Sequence, residues 1–374
     1  MINGIEIFSG AGGLATGLHL SGVVHNAFVE WNADACNTLR HNYDDCIVFE
    51  KDIREFDFSP YSIIAGGPPC QPFSLGGKAK GNEDSRDMFP AAVRCIRELM
   101  PKVFFFENVK GLLRKNFEEY LQYILLQLGC PTITAKQGDW RSHSRQIKNI
   151  AHQVPLAESY DVSINLVNAA DYGVPQKRER VVIIGIRKDL GKTWKLPHPT
   201  HSCEALLWDK YVTENYWSRH GIAPSNEEYA LFPERKKYLT DSFGFFPPES
   251  LPWITIRDAL TGFPEIGDKT YFPNEHIIRP GAREYPGHTG SPIDEPSKTV
   301  KAGDHGVPGG ENMIKFAPGE FRYFTIFEAK RIQTFPDGYH ISGSWSEAMR
   351  QLGNAVPVRL ANVICESLIK SVFQ

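Results

Sequence analysis

Five short apolar runs in the first 109 residues, each ended by glycine, proline or an acidic residue, constrain the fold of this chain more than any other feature. Residues 5–8 lead into Ser9-Gly10-Ala11-Gly12-Gly13, residues 23–29 into Glu30-Trp31, and residues 47–49 stop just short of Asp52. Residues 61–65 lead into Gly66-Gly67-Pro68-Pro69-Cys70, and residues 103–106 into Glu107-Asn108. Helix-like stretches at 14–20, 34–42, 88–100 and 117–128 alternate with them. Such alternation packs as βαβ units. The expectation is an α/β fold, a Rossmann-like, mostly parallel sheet with helices on both faces. Residues 162–167 and 180–186 read as two further strands, and the polar link 168–179, with Pro175, as a loop.

The pattern changes near residue 191. Of the 26 prolines, 15 fall between 191 and 322, and no long amphipathic helix stands out there. This segment is expected to be a smaller, loop-rich, β-containing domain, with 1–190 and 323–374 forming the larger one. An apolar fraction of 41% and a charged fraction of 23% exclude disorder. No apolar run approaches the ~18–20 residues of a membrane span. Met1-Ile2-Asn3-Gly4 lacks the basic and apolar regions of a signal peptide. A cytoplasmic protein without membrane contact is expected. The net charge of −3 neither announces nor excludes a nucleic-acid partner, because local charge decides that. Seven cysteines without a C-x-x-C support neither a zinc ribbon nor a redox pair, so no metal is expected.

Gly10-Ala11-Gly12-Gly13-Leu14-Ala15 fits G-x-G-x-x-G/A between a strand and a helix, and Glu30 follows at the end of the next strand. Glycines allow a sharp turn and close approach of a ligand, and the carboxylate can accept from a ribose diol. The pattern marks an adenosine-containing cofactor. It leaves nicotinamide cofactors and S-adenosylmethionine both open. Asp52 adds a carboxylate able to reach an adenine amino group, and Phe8 and Trp31 offer flat faces to adenine.

Cys70 follows a strand and so stands at the carboxyl edge of the sheet, where ligands bind. Pro68, Pro69 and Pro72 restrict the backbone around it. One thiol displayed on a rigid loop reads as a positioned nucleophile, reactive as the thiolate. Cys36, Cys46, Cys95, Cys130, Cys203 and Cys365 read as small buried residues instead. Glu107, directly after an apolar strand at the same edge, is costly to desolvate without a partner. It is placed to hydrogen-bond a ring nitrogen or to act as an acid.

Five segments together carry a family resemblance. They are Phe8-Ser9-Gly10-Ala11-Gly12-Gly13, Gly67-Pro68-Pro69-Cys70-Gln71-Pro72-Phe73-Ser74, Glu107-Asn108-Val109, Gln176-Lys177-Arg178-Glu179-Arg180 and Gln351-Leu352-Gly353-Asn354-Ala355-Val356-Pro357. In order and spacing they closely resemble the DNA (cytosine-5) methyltransferases. The resemblance covers about 4–190 and 323–374. Between them, where this family keeps its target-recognition domain, lies the proline-rich segment.

The resemblance implies a DNA (cytosine-5-)-methyltransferase of the bacterial restriction-modification type. Its cofactor would be S-adenosylmethionine, its product S-adenosylhomocysteine, and no metal would take part. Cys70 would attack C6 of a cytosine flipped out of double-stranded DNA. Glu107 would hold the protonated N3, Arg180 the carbonyl oxygen of the base, and Arg178 the thiol loop or a phosphate. Phe8, Ser9, Gly10, Gly12, Gly13 and Glu30 match cofactor-contacting positions, as do Trp31, Asp52, Ile53, Pro69, Asn354 and Ala355. Gln71 would occupy the space the base vacates, and Ser74 would also face DNA. The chemistry is consistent with this: C5 of cytosine is a poor nucleophile, so a covalent adduct divides a hard step into easier ones. A stacked base hides C6, hence the flip. Two departures stand out. Phe327 occupies a place where the family usually has Arg, and Ser85-Arg86-Asp87-Met88-Phe89 is one residue shorter than in some relatives, which bears on a cofactor contact at Met88.

Arg141, Arg145 and Lys148 form one basic stretch, and Lys177, Arg178 and Arg180 another. Both can neutralise phosphates. For Arg235, Lys236 and Lys237 a solvated face is an equally open reading. Residues 296–306, with Lys298 and Lys301, combine polar groups and glycine as a base-reading segment would. Three rivals are weaker. A nicotinamide-dependent oxidoreductase leaves Pro68-Pro69-Cys70 and the arginine pair without a role. A non-catalytic DNA-binding module does not explain Cys70 and Glu107 at one edge. A tRNA cytosine-5 methyltransferase would carry the Cys-Phe-Thr signature of its branch, which the sequence lacks. The compact length points to a prokaryotic, nucleoid-associated enzyme. It is expected to be monomeric, with a cognate restriction endonuclease suggested by family analogy alone.

Overall fold

The fold, obtained as a computed structural model, describes residues 1–56, 61–69, 87–135, 139–262, 266, 275–286, 288–302 and 312–374. Cys70, Gln71, Ser74 and the segment 303–306 lie outside the described residues. The chain divides into two compact units. One comprises Met1–Val167, Glu179–Leu196 and Gly338–Gln374, and the other Asn168–Arg178 and Pro197–Asp337. The second unit thus takes in residues 168–178 and runs on to 337, whereas proline content alone marked 191 and 322.

The first unit contains β1 (Ile2–Ile7), α1 (Gly13–Leu20), β2 (Val23–Glu30), α2 (Ala33–Asn42), β3 (Ile47–Glu50) and β4 (Ile63–Gly66). It continues with α3 (Phe89–Leu99), β5 (Val103–Val109), α4 (Glu118–Gly129), α5 (Trp140–Ile150), β6 (Tyr160–Asn168) and β7 (Glu179–Arg187). The strand order is β3-β2-β1-β4-β5-β7-β6. The pairs from β3 through β5 are parallel, and β7 runs antiparallel to β5. The order reverses between β1 and β4, which is where an open α/β sheet offers a crevice at its carboxyl edge.

Period-two alternation decides which face each side chain serves. Ile5 and Ile7, Phe104 and Phe106, and Val181 and Ile183 join Phe89, Ile96, Leu121, Ile124 and Ile147 in one core under α3, α4 and α5. On the opposite face Phe28 packs with Ala15 of α1 and Leu39 of α2. The expected α/β sheet covered on both faces is borne out.

The second unit holds β8 (His201–Ser202), α6 (Cys203–Tyr211), α7 (Asn215–His220), α8 (Asn226–Phe243), β9 (Leu251–Pro252), α9 (Ile256–Leu260), β10 (Ser291–Pro292), β11 (Met313–Ala317), β12 (Glu320–Tyr323) and α10 (Ile326–Ile332). Between 191 and 322, where no long amphipathic helix stands out in the sequence, the structure has the 18-residue α8. Ser225 caps it by accepting from the Glu228 amide, and Glu227 and Glu228 sit in its first turn, favourably for the helix dipole. Pro233 lies inside it, and Leu239 alone of its residues is fully buried, so it has no broad apolar stripe. Phe327 is buried, edge-on to His276 with Lys330 over its ring, so this departure from the family pattern is accommodated as core.

The chain returns to the first unit with α11 (Trp345–Asn354) and α12 (Val358–Val372). A Cβ at Gly17 of α1 would stand 2.4 Å from Ala361 Cβ and 2.6 Å from the Val358 carbonyl oxygen. The two helices therefore meet backbone to backbone, and Ser21 Oγ donates to Asn362 Oδ1 at 2.8 Å across the same contact.

Candidate active site at the carboxyl edge of the sheet

The carboxyl end of β1 turns sharply. Phe8 has φ 54° and Gly10 φ 53°, and a Cβ at Gly10 would meet nothing within 4 Å, so open space lies over the turn. Glu30, at the end of β2, is buried and accepts three backbone amides. Oε2 takes Gly10 N at 2.8 Å, and Oε1 takes Trp31 N and Asn32 N at 2.9 Å each. A carboxylate has about four lone-pair sites, so one on Oε2 remains for a further donor. Trp31 is 78% exposed, an unusual state for an indole beside a polar cleft. Lys51 N donates to Glu30 O at 3.0 Å, which brings Asp52 and Ile53 to the same edge. Asp52 already accepts from the Arg54 amide and guanidinium, whose hydrogen bonds hold its carboxyl below the usual range. Ile53 is buried, and Ser9 turns its hydroxyl inward to the Glu6 carbonyl at 2.9 Å. Asn354 is exposed at the end of α11, and Ala355 is buried behind it. An exposed ring, a carboxylate with a free lone pair and an open glycine turn fit a ribose and an adenine.

Beneath this edge lies a buried pair that sequence reading missed. Glu6 Oε2 and His25 Nε2 are 3.7 Å apart, both almost wholly buried. Burial, with Glu30 nearby, pushes the Glu6 carboxyl well above the usual carboxylate range. Burial, with His19 adding to it, pulls the His25 imidazole down to about 3. Both shifts favour the uncharged form of the group. Below pH 6.5 the unfolded chain binds a proton on His25 that the folded chain refuses, so the His25 contribution to stability falls as pH drops from 6.5 toward 3. At pH 5 the His25 loss is about 2 kcal/mol, and Glu6 opposes it, because its raised folded-state carboxyl keeps a proton that the unfolded chain gives up above the usual carboxylate range. His25→Leu is expected to gain stability relative to the native chain as pH falls from 6.5 to 4.5, read by thermal denaturation of both. A variant as acid-sensitive as the native chain would refute this.

The next strand ends carry Glu107 and Arg180. In the β5–β7 register Glu107 faces Val182 and Val109 faces Arg180. Arg180 is thus the diagonal neighbour of Glu107 on the same face, within reach of a long side chain. Arg180 Nε stands 2.6 Å from Glu107 Oε1, and both side chains are about nine-tenths buried. A Cβ at Gly67 would lie 3.7 Å from Glu107 Oε2, so that oxygen faces the segment leading to Cys70. Asn108, buried beside Glu107, donates from Nδ2 to the Pro68 carbonyl at 2.9 Å. The Pro69 carbonyl accepts from Met88 N at 3.3 Å, and Asp87 accepts from the Tyr120 hydroxyl and from Phe89 N. Both ends of the segment 70–86 are therefore anchored. Among the described cysteines, burial pushes the thiols of Cys36, Cys95 and Cys365 up to about 12, and those of Cys46, Cys130 and Cys203 are raised by the same cause.

The Gln176–Arg180 motif is divided between the units. Arg180 belongs to the first. Arg178 belongs to the second, where it is fully buried and donates from Nη1 to the Val300 carbonyl at 3.0 Å. Gln176, also fully buried, accepts from Val300 N at 3.1 Å and donates to Gln333 at 3.2 Å. Arg178 and Gln176 therefore hold residues 296–302 in place. In that segment Lys298 Nζ donates to Thr289 Oγ1 at 2.7 Å, and Lys301 is exposed. Arg141, Arg145 and Lys148 lie at i, i+4 and i+7 on the exposed face of α5, a helix not expected from the sequence. Arg235, Lys236 and Lys237 are exposed on α8. Among the described residues no cluster suited to a metal ion occurs, and no helix is long and apolar enough to cross a membrane.

The fold is one that solved methyltransferases share. The Dnmt2 methyltransferase of S. pombe superposes with a TM-score of 0.58 at 17% identity, covering 99% of each chain. The chain belongs to the C-5 cytosine-specific DNA methylase family, whose profile matches residues 2–129 and 140–370. It is 32% identical over 376 residues to the type II methyltransferase M.PspPI of Psychrobacter sp. (strain TA137), covering 98% of this chain and 78% of that one. It is 36% identical over 383 residues to the type II methyltransferase M.NgoMIV of Neisseria gonorrhoeae, covering 98% and 97%. The family reading of the five motifs is borne out.

Proposed function

We propose that this protein methylates C5 of cytosine within a short sequence of double-stranded DNA, using S-adenosylmethionine, as the modification partner of a type II restriction endonuclease. The observation that carries the reading is the buried Glu107–Arg180 pair at the end of β5, beside the anchored Pro68-Pro69 segment that leads to Cys70. With the base flipped out, the Cys70 thiolate adds to C6. Glu107 Oε2 holds N3–H, and Arg180 holds the carbonyl oxygen, so the electron pair from the C5–C6 double bond collects at C5. S-adenosylmethionine, when bound, supplies an electrophilic methyl group for C5 to take. Loss of the C5 proton and elimination of the thiolate then restore the aromatic ring. The flip costs a few kcal/mol, and a pre-positioned thiol recovers much of the lost freedom.

In this reading Glu30 accepts from the ribose through its remaining lone pair, and Trp31, Phe8 and Ile53 border the adenine. Asp52 would exchange part of its Arg54 contact for the adenine amino group. Residues 191–322 would supply target recognition, with Lys298 and Lys301 near the bases and Gln71 and Ser74 at the vacated site. A monomer acting in the bacterial cytoplasm suffices for this chemistry. Trp31→Ala is expected to raise the Kd for S-adenosylmethionine about tenfold, the scale of one lost base-stacking contact. Its melting temperature should not change, because the ring is exposed. Calorimetric titration tests this, and an unchanged Kd removes Trp31 from the site.

The direct test is bisulfite sequencing of DNA from a cytosine-methylation-free bacterial host expressing the chain. Methylation confined to one short context supports the reading. Its absence from DNA that carries every short context, with folded protein present, refutes it.

A further inference from the structure

The glycine-rich turn is held from behind by groups far away in sequence. Tyr339 directs its hydroxyl to the Ala11 carbonyl at 2.6 Å, in a buried contact. Thr16 Oγ1 donates to the Gly12 carbonyl at 2.7 Å. Its proton being committed there, the Tyr43 hydroxyl, 2.8 Å away, donates to Thr16 Oγ1. The rings of Tyr43 and Tyr339 meet edge to face at 6.3 Å. Gly12 has φ 77°, and a Cβ on it would stand 2.6 Å from the Tyr339 hydroxyl and 2.9 Å from Leu39. Glycine is thus required there both by the backbone angle and by the closeness of Tyr339.

The consequence is directional. In a planar trans peptide the C=O and N–H point opposite ways. With the Ala11 carbonyl turned onto Tyr339, the Gly12 N–H points the other way, onto the Ser9 carbonyl at 3.0 Å, so both ends of the Ala11–Gly12 peptide are held. Glycine at positions 10 and 12 makes the intervening peptides easy to rotate, so hydrogen bonds must hold this arrangement, the Gly12 N–H to Ser9 within the turn and the Tyr339 hydroxyl from outside it. A buried carbonyl left without a donor would turn to find one.

We propose that Tyr339 is a positioning residue for the cofactor, its hydroxyl holding the Ala11–Gly12 peptide in the orientation in which the turn receives S-adenosylmethionine. The inference rests on the cofactor reading above. Tyr339 touches neither the cofactor nor the base. It sets the fraction of molecules whose turn is ready to bind, and the apparent Kd varies as the inverse of that fraction.

Tyr339→Phe removes the hydroxyl and keeps the packed ring. Calorimetric titration of the full chain with S-adenosylmethionine, and separately with S-adenosylhomocysteine, is expected to show Kd raised about five- to tenfold for both, the scale of one buried hydrogen bond. The loss should fall on KM for the cofactor rather than on kcat. Without cofactor, hydrogen exchange in a peptide covering residues 8–16 should be faster than in the native chain. An unchanged Kd and unchanged exchange overturn the proposal, as does a fall in kcat with KM constant. If Tyr339→Phe fails to fold, Tyr43→Phe probes the same turn through Thr16, and an unchanged Kd there overturns it. A native chain that binds neither ligand defeats the cofactor reading itself, and this inference with it. Native binding with unaltered variants defeats this inference alone.

Discussion

Cys70→Ala is expected to reduce methyl transfer to background, at least ~10⁴-fold down, the scale on which loss of a covalent nucleophile acts in other enzymes. Affinity for S-adenosylmethionine should stay within about twofold of the native value. Without the thiolate no bond forms at C6, and C5 keeps its low nucleophilicity. The turn at Gly10 and the carboxylate of Glu30 are built on β1 and β2 and on their own hydrogen bonds, independently of residue 70. A tritium-transfer assay with a calorimetric titration reads both quantities. DNA carrying 5-fluorocytosine adds a second readout: the native chain should form a denaturant-stable complex, because fluorine does not leave C5 as a proton does, and the variant should not. Turnover retained by the alanine variant would end the assignment.

The second large effect is expected for Glu107→Gln, with transfer slowed about 10²- to 10⁴-fold, the usual span for a lost acid–base or proton-holding group. This substitution also does something else. It removes the partner of a buried Arg180, and an uncompensated buried charge costs about 3–5 kcal/mol. A fall in melting temperature is therefore expected together with the loss of activity, and the two must be separated. The double variant Glu107→Gln/Arg180→Met removes both charges, so most of the stability should return while activity stays low. If the double variant regained activity with stability, Glu107 would be a structural partner of Arg180 and no part of the chemistry. An unaffected rate in the single variant would lead to the same conclusion.

Much of this site is legible without coordinates because its parts are local. A glycine run after a strand, a carboxylate at a strand end and a cysteine bracketed by prolines each announce themselves within about ten residues. α5 and α8 escaped such reading. In α5 the inward residues His143 and Ile147 are too few to stand out against a polar surface, although Asp139 caps it and Arg141, Arg145 and Lys148 share a face. In α8 the interior Pro233 and the narrow buried line argue against a helix, while Ser225 with Glu227 and Glu228 argues for one. Tertiary packing settled what propensity left balanced.

The arginine motif shows the limit most clearly. Arg178 and Arg180 look equivalent in sequence, two cations one residue apart. Alternation along an extended segment would put i and i+2 on one face, but the unit boundary passes between them and gives them different surroundings. One becomes an internal support of residues 296–302, bonded to the Val300 carbonyl, and the other the partner of Glu107. That pairing needs β7 to run antiparallel in the register that sets Arg180 opposite Val109.

The sequence by itself determined the sheet-and-helix alternation, the family and the candidate site side chains, because strand ends, turns and motif spacing are properties of short stretches of chain. Only the tertiary structure decided that Glu107 is shared with Arg180, that Glu6 and His25 meet as a buried pair beneath the carboxyl edge, and that Tyr339 holds a turn 328 residues before it. Each of these depends on strand register or helix docking, which bring together residues with no local signal for one another, and on burial, which sets the charge a side chain carries once it is there.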